Sequence, residues 1–191
     1  MQMAQLSATE LAELRTEIDI LKSLDHPNIC RVYETFLDEA AGEMHIVMEL
    51  LSGGNVRTRL RDHGSAFDEP TAARYMRSMV SAIFYCHSHG VCHRDIKLEN
   101  FTFETKREDA ELKLIDFGLS AKVRKGDEKM SKQVGTLPFM SPELLADAPY
   151  STSCDIWALG VTAYEMLAGF LHRPYNTGPV GGSNFKKQLK R

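Results

Sequence analysis

The eight residues His93-Arg94-Asp95-Ile96-Lys97-Leu98-Glu99-Asn100 constrain this chain more than any other stretch. They form a charged loop, with a lysine two positions and an asparagine five positions after an aspartate. A long helix delivers the chain to them. Asp68-Glu69-Pro70 reads as a helix start, and Ala72, Met76, Met79, Ile83 and Cys86 then mark one face as far as about His89. Short apolar runs at 91–93, 101–103 and 112–115 read as strands on either side of the loop.

Upstream, Ser7-Ala8-Thr9-Glu10 fits a capping box. Leu11, Leu14, Ile18 and Leu21 then recur at helical spacing, with Ile20 and Leu24 widening the stripe. Asp25-His26-Pro27-Asn28 ends that helix, because a residue before proline avoids the helical region. Residues 29–36 and 44–50 read as two strands of a hairpin that turns at Ala40-Ala41-Gly42. Ser52-Gly53-Gly54 is a hinge-like break before a short polar helix at 55–62. Residues 118–149 are loop-rich, 156–171 form the most apolar helix, and 176–191 read as a flexible basic tail. No internal repeat is visible.

Composition excludes several classes. A chain of 191 residues, 43% hydrophobic and 26% charged, folds rather than staying disordered. A formal charge of −3 gives no reason to expect nucleic acid or an anionic membrane as a partner. The apolar helix is interrupted by Glu165 and is short for a membrane span. Cys30, Cys86, Cys92 and Cys154 form no C-x-x-C pair and read as reduced thiols in a cytoplasmic protein. No signal peptide or myristoylation site is visible in the first residues.

Moving a phosphoryl group to a hydroxyl needs a group that accepts the hydroxyl proton, and Asp95 suits that task. It also needs hard oxygen ligands for the metal ions that neutralise phosphate charge. Asn100 and Asp116 supply them, and Asp116 opens an Asp-Phe-Gly that follows an apolar strand. Lys97 can sit near the transferred group.

At this point the chain resembles the eukaryotic protein kinases. Six motifs carry the resemblance in order: Asp-His-Pro-Asn (25–28), the eight-residue loop, Asp-Phe-Gly (116–118), Gly-Thr (135–136), Ser-Pro-Glu (141–143) and Asp-Ile-Trp-Ala-Leu-Gly (155–160). The surrounding text is most similar to the calcium/calmodulin-dependent group, especially the calcium-dependent kinases. Lys97, two residues after Asp95, resembles the serine/threonine class.

The resemblance implies an α+β, two-lobed fold that is incomplete here: a partial kinase domain over 1–175, with 1–50 the remnant of the small lobe and 51–175 the helical lobe. It implies ATP and Mg2+ as cofactors and a protein substrate. Thr136 would contact the catalytic aspartate and lysine. Met48 would be the gatekeeper, and Glu49 and Leu51 the hinge residues beside adenine. Glu99 joins Asn100 and Asp116 among the cofactor-binding residues. Leu21, Val32, His93 and Phe117 would stack as a regulatory spine anchored by Asp155. Arg94 would receive an activating phosphate, with Ser131 the nearest acceptor because Lys132 holds the usual site. Glu143 would pair with an arginine, yet Arg173 and Arg191 sit in no matching context. Glu17 falls on the apolar face of the first helix, where a carboxylate is costly unless paired. The family pairs it with a strand lysine that also holds ATP; from the residues alone a solvated rim position is favoured.

Several family features are missing from these residues. No G-x-G occurs, and no lysine precedes Glu17. Asn55 stands where an acidic residue often binds ribose, and Thr102 where an apolar residue floors the adenine site. No EF-hand loop is present, so calcium control would need sequence missing from this chain. The chain therefore reads as truncated at both ends. Its expected function is transfer of the ATP γ-phosphate to Ser/Thr hydroxyls, impaired in the fragment. The alternative is a non-catalytic kinase-like binding module.

Overall fold

A computed structural model describes residues 8–38, 41, 43–64, 66–123 and 129–169. Its elements are, in order, α1 (Ala8–Ser23), β1 (Val32–Asp38), β2 (Glu43–Met48), α2 (Val56–His63), α3 (Glu69–Ser88), β3 (Val91–Cys92), β4 (Phe101–Phe103), β5 (Leu112–Leu114), β6 (Ala121–Lys122), α4 (Pro142–Leu145) and α5 (Ser153–Ala168). Short 3₁₀ turns occupy Leu98–Asn100 and Leu137–Phe139. Ser7 of the capping box, Ala40 and Gly42 of the hairpin turn, Arg173, Arg191 and the basic tail lie outside the described residues.

Helix α3 is the axis of the helical part. Asp68 caps it by accepting the Thr71 N–H at 3.0 Å, with Pro70 in the first turn where no N–H is needed. Ala72, Tyr75, Met79, Ala82, Ile83 and Cys86 form its buried face. Met76, expected on that face, is only partly buried. α5 packs against α3 and stops at Gly169, whose φ of 76° is the left-handed cap that glycine adopts freely. The apolar run marked this helix from Ile156, but it begins three residues earlier, at Ser153. Cys154 and Asp155 are already buried there, and a buried aspartate does not register as hydropathy.

Among the described residues the strands pair in twos, each pair antiparallel: β1 with β2, β3 with β6, β4 with β5. The hairpin holds the register Val32↔Met48 to Asp38↔Glu43, with an irregularity between Val32 and Glu34. Residues 29–31, read as strand, precede it; Ile29 instead bridges to Leu114. Tyr33, Phe36, Val47 and Met48 leave much of the hairpin's apolar surface exposed. β3 and β4–β5 bracket the charged loop and are tied down by core residues. Ile20 and Leu21 of α1, Phe101 and Phe103 of β4, Leu112 and Leu114 of β5, and Phe117 share one buried cluster with α3 and α5. Each such side chain contributes roughly 1.5–3 kcal/mol by leaving water. The region 118–149, read as loop, also holds β6 and α4. Their few residues are too short for a periodic signal. No described helix is long and apolar enough to cross a membrane.

Candidate active site

The charged loop hangs from helix α5. The Asp155 carboxylate accepts the backbone N–H of His93 at 2.9 Å through Oδ2 and that of Arg94 at 2.8 Å through Oδ1. His87 Nε2 on α3 lies 2.8 Å from the same Oδ2. Burial works to raise the Asp155 pKa, but the His87 contact and these N–H groups outweigh it and hold the carboxyl below its ordinary range. Arg94 takes a positive φ of 69°, a turn that swings the chain out of β3. The buried His93 ring meets Phe117 edge-on at 5.0 Å, and burial favours its neutral form.

Asp95 sits at the centre of a saturated network. Oδ1 accepts the Thr136 N–H at 3.0 Å and the Thr136 hydroxyl at 2.6 Å. Oδ2 accepts Lys97 Nζ at 2.5 Å and Asn100 Nδ2 at 3.2 Å. Lys97 Nζ also donates to Thr136 Oγ1 at 3.0 Å. Burial alone would raise the Asp95 pKa; the Lys97 and Thr136 hydrogen bonds outweigh it and lower it. The group is therefore an ionised carboxylate at neutral pH, the state a proton acceptor needs.

Asn100 donates both of its amide hydrogens inward, to Asp95 O at 2.8 Å and to Asp95 Oδ2. That leaves its amide oxygen as an acceptor. Asp116 is exposed, at a positive φ of 64°, and its Oδ1 accepts the Gly118 N–H at 3.2 Å. An amide oxygen and an exposed carboxylate are the donor types that Mg2+ takes, so this pair fits the metal. A Cβ at position 118 would lie 3.3 Å from Asp116 Oδ1 and 3.6 Å from Glu17 Oε2, so both carboxylates close on the same point. Burial and the neighbouring Asp116 charge raise the Glu17 pKa, while the Phe117 N–H lowers it. Glu17 is thus half-buried against the Asp-Phe-Gly turn, and the solvated-rim reading does not hold.

The remaining sequence-selected residues fall in three groups. Leu21 and Phe117 are core, and Val32 packs partly against them. Met48, expected as the gatekeeper from the resemblance, is 47% exposed. Glu49 is held by the Arg31 N–H at 2.7 Å and by Lys113 Nζ at 2.8 Å; Leu51 is half-buried. Thr102 pairs with Lys113 in the β4–β5 ladder and bridges to Asn55. Ser131 is exposed and Glu143 half-buried. Arg94 donates to Leu119 O at 2.6 Å, Ser120 O at 3.3 Å and the Tyr150 hydroxyl at 3.3 Å.

Sequence reading missed one ion cluster. Glu165 is fully buried in α5, where Arg57 of α2 grips both its oxygens, and Arg57 Nε reaches Glu99 Oε1 at 3.0 Å. The signal was available: a lone carboxylate in the most apolar helix needs a buried partner. Glu99, assigned to the cofactor by resemblance, spends Oε1 on Arg57 and leaves Oε2 buried without a hydrogen bond.

Comparison with known proteins agrees with this geometry. The protein kinase domain family matches residues 1–188. The chain is 40% identical over 170 residues to CDPK-related kinase 7 of Arabidopsis thaliana, covering 88% of this chain and 28% of that protein. It is 39% identical over 160 residues to calcium-dependent protein kinase 3 of Plasmodium yoelii yoelii, covering 84% and 29%. It is 37% identical over 166 residues to a probable myosin light chain kinase of Dictyostelium discoideum, covering 86% and 41%. The chain thus spans less than half the length of these curated relatives. On these matches, and on a loop that gathers Asp95, Lys97, Asn100 and Thr136 in one network, the chain belongs to the protein kinase domain family, with calcium-dependent and CDPK-related kinases among its relatives.

Proposed function

We propose that these residues are the catalytic segment of a serine/threonine protein kinase, with residues 1–50 the remnant of its small lobe and 51–175 its helical lobe. In the reaction a substrate hydroxyl oxygen bonds to the γ-phosphorus of ATP. The bond from that phosphorus to the bridging oxygen breaks, ADP leaves, and the hydroxyl proton passes to Asp95. Lys97 steadies charge on the transferred group. Asn100 and Asp116 would hold Mg2+, which supplies neutralisation of phosphate charge. Thr136 holds Asp95 at the approach to the acceptor.

The observation that carries this reading is the Asp95 network: a lysine, a threonine and an asparagine converge on one ionised carboxylate. The residues in hand contain no G-x-G and no lysine before Glu17. A charge-assisted hydrogen bond contributes about 1.5–3 kcal/mol. Losing the lysine and several loop amides from the ATP site therefore slows transfer by about a thousand-fold or more in this segment alone. The alternative is a non-catalytic binding module, in which the Glu17 carboxylate only packs against Asp116 and the Phe117 N–H.

Thermal unfolding with and without Mg-ATP tests the two. A binding site for ATP raises the melting temperature with nucleotide concentration, and a non-binding module leaves it unchanged. Transfer of labelled γ-phosphate to a serine peptide, lost in Asp95→Asn, then separates catalysis from binding.

A further inference from the structure

Tyr150 lies between the site and the segment that follows Met130, and no role is yet assigned to it. Its ring is buried, packed with Cys92, Leu144 and Cys154 and against Val123, Met130 and Met140. Its hydroxyl leaves that cluster in two directions. The phenol donates to the Lys132 carbonyl at 2.7 Å and accepts from Arg94 Nη1 at 3.3 Å. Its own backbone pairs with Met130, N–H to carbonyl both ways, at 2.8 and 2.9 Å. Burial raises the phenol pKa, so it remains a donor at neutral pH.

The connected path is short. Arg94 is the residue before Asp95. Lys132 is four residues before Thr136, whose N–H and hydroxyl both end on Asp95. Gln133 Nε2 adds a tie to Leu144 O at 2.9 Å. A Cβ at Gly135 would stand 2.5 Å from the Arg94 carbonyl, so the segment runs directly over the loop. The Tyr150 hydroxyl joins the loop arginine to this overlying backbone.

We infer that Tyr150 is a positioning residue: its hydroxyl clamps the segment 130–136 to Arg94 and so keeps Thr136 on Asp95, with no phosphate in the contact. The phenol itself bridges the arginine and the segment. Both bonds form between unmodified groups, and the one from the Arg94 guanidinium is charge-assisted. The clamp is therefore a standing one, present without modification. Its consequence for phosphate transfer rests on the kinase reading above, but the clamp itself does not.

Amide hydrogen exchange of the full chain, wild type against Tyr150→Phe, tests it. Phenylalanine keeps the ring packing and removes only the hydroxyl. Amides from Met130 to Thr136 are expected to exchange about tenfold faster, the effect of one net hydrogen bond. Amides of Met79 and Ile83 in α3 keep their wild-type rates. Unchanged protection at Thr136 overturns the inference, and so does uniform loosening of the whole chain, which would make the phenol a general packing group. The readout needs no phosphate transfer, so its failure and failure of the kinase reading are distinguishable.

Discussion

Asp155 holds the backbone of His93, a residue 62 positions earlier, through a 2.9 Å hydrogen bond made inside the core. The loop that carries Asp95 is therefore positioned by a helix that supplies none of its reacting groups. Asparagine at position 155 removes the charge and one acceptor from a site that the His93 and Arg94 N–H groups, His87 and the Cys92 thiol all face. Asp155→Asn is expected to lose about 3 kcal/mol, the range of charge-assisted bonds lost in the interior. Urea unfolding measures it, and a change below half that amount would show that the loop holds itself.

The same carboxylates give the protein an acid limit. Asp155 and Asp95 both have folded pKa values held below their ordinary ones. Each contributes stability that is present above the unfolded value of about 3.9 and is lost as pH falls through the lower folded value. Stability is thus expected to fall below about pH 4 in wild type and to fall less steeply in Asp155→Asn. Melting temperatures between pH 3 and 7 read this directly.

Glu17 has the opposite sign. Its folded pKa is raised, by burial first and by Asp116 second, so ionisation works against the fold as pH rises through that value. Glutamine can still accept the Phe117 N–H without the charge. Glu17→Gln is therefore expected to raise the melting temperature at pH 7 and to match wild type near pH 4. Equal effects at both values would place Glu17 in solvent.

The Arg57–Glu165 pair spans 108 residues and joins α2 to α5. Truncating one partner of a buried pair typically costs about 3–5 kcal/mol, because the other charge is left bare. Arg57→Met is expected to lose that much. Arg57→Met combined with Glu165→Leu is expected to recover most of it. Denaturant unfolding of the four members of this cycle gives the coupling. Near-additive losses would reduce the pair to a surface contact.

In any form of the protein that transfers phosphate, Asp95→Asn removes the proton acceptor and turns one of the two oxygens that Thr136 and Lys97 donate to into an NH2 group. Turnover is expected to drop by about a hundredfold or more. A rise confined to KM, with kcat intact, would make Asp95 a binding group.

Much of this molecule was legible from local patterns. The 3.6-residue spacing placed α1 and α3, alternation and turn residues placed the hairpin, and the loop motif named Asp95, Lys97 and Asn100 within eight residues of one another. These are short-range properties, fixed by backbone preference and by which face of an element is apolar. Contacts between distant residues were decided only when the chain packed. Thr136 meets Asp95 across 41 positions, Tyr150 meets Arg94 across 56, and Arg57 meets Glu165 across 108. Periodicity carries no information about such pairings; where a sequence motif pointed to one, as for Thr136, it came from the family and not from spacing. The physical reason is burial: Asp155 and Glu165 are charges inside a core, and only the assembled fold brings the donors that make their presence there tolerable.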